Sequence, residues 1–190
     1  MNICFTSYVS KVDHPNMFAY KEPRLKDAKP VCKRSIIPLN YDEVTEWDVR
    51  AKEKHGFDPS KPTIFVLEGV TMYIKPEDEL DLYRKIDRNA AINSLITGCN
   101  LKLLRTGGKP KDMGDGIIWY DTDRHGIKQV LRNWGLTFKP LHWFDIIGIY
   151  VMLTGIKRPE GEYSQKSTFQ IAIYAGVVAI ILSTVYSKFS

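Results

Sequence analysis

The chain is poor in the residues that build metal and disulfide sites. It has three cysteines, Cys4, Cys32 and Cys99, spread far apart and odd in number. No CxxC pair exists, which argues against a disulfide framework or a zinc ribbon and for a reducing compartment. Its four histidines, His14, His55, His125 and His142, show no metal-ligand spacing, so no metal site is expected. A GxxxxGK[ST] phosphate loop is missing too: the glycine- and lysine-rich stretch RTGGKPKDMGDG, 105–116, lacks the spacing and reads as a surface loop. A secretory leader is not visible in Met1 to Val12, where no long apolar core follows a basic start. Charge of one sign does not dominate either. The formal charge is +5, but the basic residues are scattered among 22 acids. With no basic helix and no aromatic-basic ladder, nucleic acid is not an expected partner.

What is present is enough for one domain with a real core. The chain has 190 residues, 44% of them hydrophobic and 26% charged. The organising stretch is FDPSKPTIFVLEGVTMYI, Phe57 to Ile74. Asp58-Pro59-Ser60 signals a turn. Thr63 to Leu67 is a short run of β-branched and aromatic residues that predicts a buried strand. The run stops at Glu68-Gly69. A carboxylate there lies at the carboxyl end of a strand, where open α/β sheets bind ligands. A strand running into a polar loop would have the same local appearance.

Upstream, Tyr8 to Val12 predicts a modest strand that ends at Asp13-His14-Pro15. Proline stops the strand, and the acid before it can accept from two ribose hydroxyls or serve a plain Asp-x-Pro turn. A helix follows, with Asn16 as its cap and Pro23 interrupting it. Ser35 to Asn40 predicts a third strand. Tyr41 to Gly56 is helical by pattern, with Val44, Trp47, Val49 and Ala51 inward and Gly56 as the stop. Pro76 to Asn89 has proline and acids first and bases last, as the helix dipole favours, with Leu80, Leu82, Tyr83 and Ile86 as its apolar stripe. Ala90 to Leu104 is strand-like or helical. A helix from Asp123 to Trp134 turns Ile127, Val130 and Leu131 inward and ends at Gly135. Leu136 to Leu141 predicts a strand, and Phe144 to Leu153 a further amphipathic element.

Two stretches carry a family resemblance. VDHP with its following helix, and GFDPSKPTIFVLEGVTMYI, resemble the leucine carboxyl methyltransferase family of S-adenosylmethionine (SAM)-dependent enzymes. In that family a DPS-x-P-T turn leads into a strand ending in EG-x-x-MY(L/I). The resemblance covers about residues 8 to 150 and implies an α/β, Rossmann-like methyltransferase sheet with SAM as cofactor. It implies that Asp13 holds the SAM ribose. It places Asn40 where the family has an acid for the adenine amino group, with Tyr41 against the adenine ring or in the core. Glu68 and Tyr73 would line the SAM pocket, Glu68 meeting either the methionyl ammonium or the substrate side. The reaction implied is methyl transfer to a carboxylate or hydroxyl of a small molecule or a protein carboxylate, with no catalytic base assigned.

Two departures from the family stand out. ITGCNLKLLRTGG lacks the acidic motif that usually ends the fifth strand. The glycine-rich turn that follows the family's first strand lies upstream of VDHP, and no GxG is found there. The expected sheet therefore lacks its first strand. The chain then reads as part of a longer enzyme, or as one in which Met1 to Ser7 substitutes for that strand, or as a membrane-anchored, non-catalytic relative. The division expected is a partial methyltransferase domain over 1–160 and a transmembrane helix over 167–188. FQIAIYAGVVAIILSTVY, Phe169 to Tyr186, is nearly free of charge and roughly 18 residues long, the lower limit for a span. A tail anchor would hold the domain at the cytosolic face of a membrane. Alternatively FQIAIYAG is the last strand of a cytoplasmic protein's sheet.

Overall fold

A computed structural model describes residues 8–29, 32–103, 110–114, 117–144 and 148–161. The expected span at 169–186 and most of the loop at 105–116 lie outside them. Among the described residues no helix is long and apolar enough to cross a membrane. The chain divides into two compact units between Asp58 and Pro59.

The first unit holds a parallel strand pair. Strand β1 (Tyr8–Asp13) lies beside β2 (Lys33–Pro38), with Asp13 opposite Pro38. Helix α1 (Pro15–Arg24) makes the crossover. Its cap is His14 rather than Asn16. Pro15 takes the first helical position, so the next free N–H is that of Asn16, which donates to His14 Nδ1 at 3.2 Å. After β2 comes a 3-10 turn, Tyr41–Glu46, and then α2 (Trp47–His55). Gly56 ends α2 at φ 68°, a left-handed conformation that glycine adopts without a side-chain penalty. Val44, Trp47 and Ala51 are buried as expected, but Val49 is 48% exposed. The 3-10 start rotates the later residues relative to an unbroken α-helix, which turns Val49 outward.

The second unit is a four-stranded sheet. Strand β3 (Ile64–Leu67) lies parallel to β4 (Leu95–Leu103). Helix α3 (Pro76–Arg88) connects them, and Leu82, Tyr83 and Ile86 are buried on it. A small antiparallel hairpin follows, β5 (Lys111–Asp112) with β6 (Ile118–Trp119). The predicted helix from Asp123 is shorter than expected. Helix α4 spans Arg124–Val130, capped by Asp123 through the Gly126 N–H at 2.9 Å, and a 3-10 turn continues to Trp134. Gly135 then stops the chain at φ 54°.

Strands β7 (Thr137–Phe144) and β8 (Gly148–Ile156) complete the sheet in the order β3-β4-β8-β7. The stretch expected to be a further amphipathic element is thus the end of β7 and most of β8. Strand β8 inserts antiparallel to both neighbours. Its residues from Val151 to Ile156 are buried or half-buried on both faces, because it is an inner strand. The sheet is therefore mixed rather than wholly parallel. Its core combines Ile96, Ile127, Leu131, Trp134 and Leu153, each at most 1% exposed.

Candidate functional site

In the first unit, the parallel pairing brings Asp13 and Asn40 to one end of the sheet. Asp13 is the last residue of β1, and its carbonyl accepts from the Leu39 N–H at 3.0 Å, one residue before Asn40. The Asp13 carboxylate is held from two sides. Oδ1 accepts from the His14 N–H at 2.9 Å and Oδ2 from Lys21 Nζ at 3.2 Å. Each carboxylate oxygen has a second lone pair, so these contacts orient the group without saturating it. Lys11 stands two residues before Asp13 on the same face of β1. Burial, and then the nearby Lys21, push its ammonium below the usual lysine range.

Asn40 begins the 3-10 turn. Its backbone N–H and its amide nitrogen both donate to Glu43 Oε2, at 3.2 and 2.9 Å. The Asn40 backbone N–H, followed by Arg50, holds the Glu43 carboxyl below the usual range. With its nitrogen turned to Glu43, the Asn40 oxygen is the atom suited to meet an amino group. Tyr41 is the first residue of this turn.

In the second unit, Glu68 follows β3 directly, and Gly69 turns the chain at φ 63°. The next residues, Thr71–Tyr73, form a 3-10 turn at the carboxyl end of β3. Its base is fixed from inside: Thr71 is 1% exposed and donates through Oγ1 to the Cys99 carbonyl at 3.4 Å. Strand β4 must come close for this. A Cβ on Gly98 would lie 2.8 Å from the Leu67 carbonyl oxygen, so only glycine fits there. Cys99 is beside Glu68. Burial, and then the Glu68 charge, push its thiol above the ordinary range.

The hairpin is joined to the same turn. The Tyr120 N–H donates to the Met72 carbonyl at 2.9 Å. Trp119 meets Tyr73 edge-on, with ring centroids 6.5 Å apart and planes at 77°.

The structure thus groups Asp13 with Asn40 and Tyr41 at one strand end of the first unit, and Glu68 with Tyr73 at one strand end of the second. Sequence reasoning missed Cys99 and Trp119 as neighbours of the second group. Gly98 was the available signal for Cys99, since an interior strand glycine marks a close approach. Trp119 had none, because a two-residue strand shows no periodicity.

A further buried carboxyl went unforeseen. Glu79 on α3 is 1% exposed and accepts from Thr122 Oγ1 at 3.3 Å. Burial pushes it up to about 8. Among the described residues no cluster of histidine, cysteine or acid could hold a metal ion.

A protein of Mycobacterium sp. (strain KMS), provisionally named an S-adenosyl-L-methionine-dependent methyltransferase, is 26% identical over 186 residues, 89% of this chain and 60% of that protein. One from Mycolicibacterium smegmatis with a similar name is 31% identical over 90 residues, 46% of this chain and 29% of its own. The chain spans about 60% of the length of the first of these relatives. Among solved structures, a DUF574 family protein from Streptomyces avermitilis has a TM-score of 0.57 at 11% identity, over 81% of this chain and 66% of that one. A SAM-dependent methyltransferase from Methanosarcina mazei has a TM-score of 0.52 at 10% identity, over 81% and 84%. At such identities the likeness is one of fold, and it places the α/β units described above among the methyltransferase folds. Residues 6–87 fit the model of the leucine carboxyl methyltransferase family, the family that the two strand-end motifs resemble.

Proposed function

We propose that the chain is the greater part of a SAM-dependent methyltransferase that transfers a methyl group to an oxygen. The observation that carries the reading is the Asp13 carboxylate. It ends a strand of a parallel pair, is oriented by His14 N–H and Lys21, and keeps lone pairs to offer. Two vicinal hydroxyls of a ribose are donors that such a group can accept from. Asn40, one position beyond the neighbouring Leu39, suits an adenine amino group through its oxygen, with Tyr41 beside it in sequence. In the second unit Glu68 suits the methionyl ammonium or the substrate side, and Tyr73 follows it in the motif. One relative in fold, a Burkholderia thailandensis N1-methyltransferase with a TM-score of 0.50, was solved with S-adenosylhomocysteine bound.

When bound, SAM supplies an electrophilic methyl group on a sulfonium. Displacement there needs an in-line nucleophile, close and shielded from water, and little acid-base chemistry. The chain fits this demand with the oriented Asp13 carboxylate at a strand end. A small-molecule or protein carboxylate, or a hydroxyl, is the acceptor class that follows from the family.

Calorimetry with SAM tests the reading. Micromolar binding is expected, weakened at least tenfold, about 1.4 kcal/mol, in Asp13→Ala. Absence of binding by the folded protein would overturn the enzymatic reading and leave a non-catalytic member of the family.

A further inference from the structure

Glu79 is a buried carboxyl that the cofactor reading leaves without a task. It lies in the first turn of α3, a short way along the chain from Tyr73, and is 1% exposed. Its partners come from the segment that leads into α4. Thr122 Oγ1 donates to Glu79 Oε1 at 3.3 Å, and the Asp123 N–H donates to the same carboxyl. Asp123 is the cap residue of α4. In a capping box a glutamate of the same helix accepts from the cap N–H. Here a glutamate of another helix does so.

The junction is tight. A Cβ on Gly126 would collide with Asp123 Oδ2 and lie 2.9 Å from Leu80 Cδ2, so α4 can start against α3 only with glycine there. Thr122 is 9% exposed, the buried member between half-buried Asp121 and exposed Asp123.

The same short segment also holds the turn that carries Tyr73. The Tyr120 N–H donates to the Met72 carbonyl at 2.9 Å, and the Trp119 ring meets Tyr73 edge-on. Met72 and Ile74 on either side of Tyr73 are 4% and 2% exposed, so the backbone of that turn is seated in the core. Residues 119–123 thus run from the motif at one end to Glu79 at the other.

The surroundings decide what a charge on Glu79 would meet. The charges acting on it are Asp123 and Asp121, both acids, and the nearest bases in sequence, Lys75, Arg124 and His125, do not offset them. Burial first, and then these acids, keep the carboxyl protonated up to about 8. Losing the proton leaves a buried anion beside like charges, a state relieved by admitting water. Helix α3 is anchored by Leu82, Tyr83 and Ile86, each at most 3% exposed, whereas residues 120–123 are irregular backbone. The segment is therefore the side that yields.

We propose that Glu79 is a positioning residue for Tyr73: its carboxyl holds residues 119–123 on α3, and through Trp119 and Met72 that segment sets the Tyr73 ring at the carboxyl end of β3. The consequence for the cofactor rests on the methyltransferase reading, in which Tyr73 lines the SAM pocket. The linkage from Glu79 to Trp119 does not.

Fluorine NMR of the full chain labelled with 5-fluorotryptophan tests it, with the Trp119 signal assigned by its loss in Trp119→Phe. From pH 6 to 9 that signal is expected to titrate with a midpoint of about 8 in the wild type. In Glu79→Gln, which keeps an acceptor oxygen and cannot ionise, it is expected to stay at its low-pH position. The Trp47 signal, from the first unit, is the reference. S-adenosylhomocysteine is titrated calorimetrically over the same range. Its affinity is expected to fall at least threefold more in the wild type than in Glu79→Gln, a comparison that cancels the ligand's own amino group. A Trp119 signal that does not titrate, or titrates alike in both proteins, overturns the proposal. A titrating Trp119 with the same affinity profile in both proteins also overturns it, because the cofactor side of Tyr73 would then not depend on Glu79. If Glu79→Gln does not fold, Glu79→Asp takes its place, and an unchanged Trp119 midpoint overturns the proposal. Failure of S-adenosylhomocysteine to bind the folded wild type at any pH overturns the cofactor reading, while a Trp119 titration lost in Glu79→Gln would still uphold the linkage.

Discussion

The two units are stabilised in different ways. In the first, β1 and β2 form a two-stranded sheet among the described residues, and Tyr8, Val9 and Val12 on β1 are 39%, 43% and 37% exposed. Its buried side chains gather around α2 and the end of β2, at Ile37, Leu39, Trp47 and Ala51. Charges lace its surface: Lys21 with Asp13, Arg34 with Glu22, and Arg50 with both Glu43 and Glu46. Such exposed pairs contribute little each. In the second unit four strands pair in one sheet, and α3 and α4 pack against each other. Tyr83, Ile127, Trp134 and Leu153 are wholly buried there. Two strands cannot bury a face, whereas four strands with two helices can. The unit with Asp13 is thus the less deeply packed, and the unit with Glu68 and Trp119 has the more fully buried core.

The sharpest way to break this contrast is to remove the central tryptophan of each unit. Trp134 packs edge-on against Phe65, lies under the Lys157 ammonium, and donates to Asp87. Trp134→Ala should destabilise the protein by about 3–5 kcal/mol, the range for a buried aromatic. Trp47 is 8% exposed and meets Phe57 edge-on at 5.5 Å. Trp47→Ala should cost about 2–3 kcal/mol. Urea unfolding of both variants measures the difference, and equal costs would erase the contrast.

The second unit also carries a pH-dependent term opposite in sign to that of the lowered Glu43 carboxyl in the first. The Glu79 carboxyl is raised from 4.5 to about 8, first by burial, with Asp123 and Asp121 adding to the rise and the Thr122 hydroxyl and Asp123 N–H opposing it. Below about pH 4.5 it is protonated in both the folded and the unfolded chain. Between pH 4.5 and 8 the unfolded chain releases this proton while the folded one keeps it. Stability should therefore fall as pH rises through that window, by up to about 1.4 kcal/mol per unit. Glu79→Gln, which keeps the shape and removes the charge, should flatten the slope. Thermal melts of both proteins from pH 5 to 8 check this, and parallel curves would show that Glu79 does not control the term.

The smallest effect concerns the joint after α2. Gly56 has a left-handed φ of 68° and open space where a Cβ would be. Gly56→Ala should cost about 1–2 kcal/mol from backbone strain alone. A chemical-denaturation midpoint unchanged from wild type would mean that the helix ends without needing this conformation.

Much of the first unit could be read from the residues because its signals are local. The alternation before Asp13, the proline after it and the glycine ending α2 all act within a few positions. Errors arose where geometry shifts over a turn. His14 displaced Asn16 as the cap because Pro15 has no N–H, and the 3-10 start turned Val49 to solvent. In the second unit the element types were partly legible and their arrangement was not. Val151 to Ile156 looks like any apolar segment. That it becomes an inner, antiparallel strand depends on β4, about fifty residues earlier, and on β7 pairing with it together.

The sequence by itself determined the strand ends that carry Asp13 and Glu68, since turn chemistry and short apolar runs are properties of neighbouring residues. It also carried the resemblance to the leucine carboxyl methyltransferase family, whose model fits residues 6–87. Tertiary structure alone decided which side chains those strand ends would meet. Glu79 is buried against Thr122, 43 residues away. Cys99 lies beside Glu68, and Trp119 is brought to Tyr73 with its donor unanswered. The reason is physical: burial, and the pKa shifts and open hydrogen bonds that follow from it, are set by contacts between elements distant in the chain. No local pattern of residues encodes them.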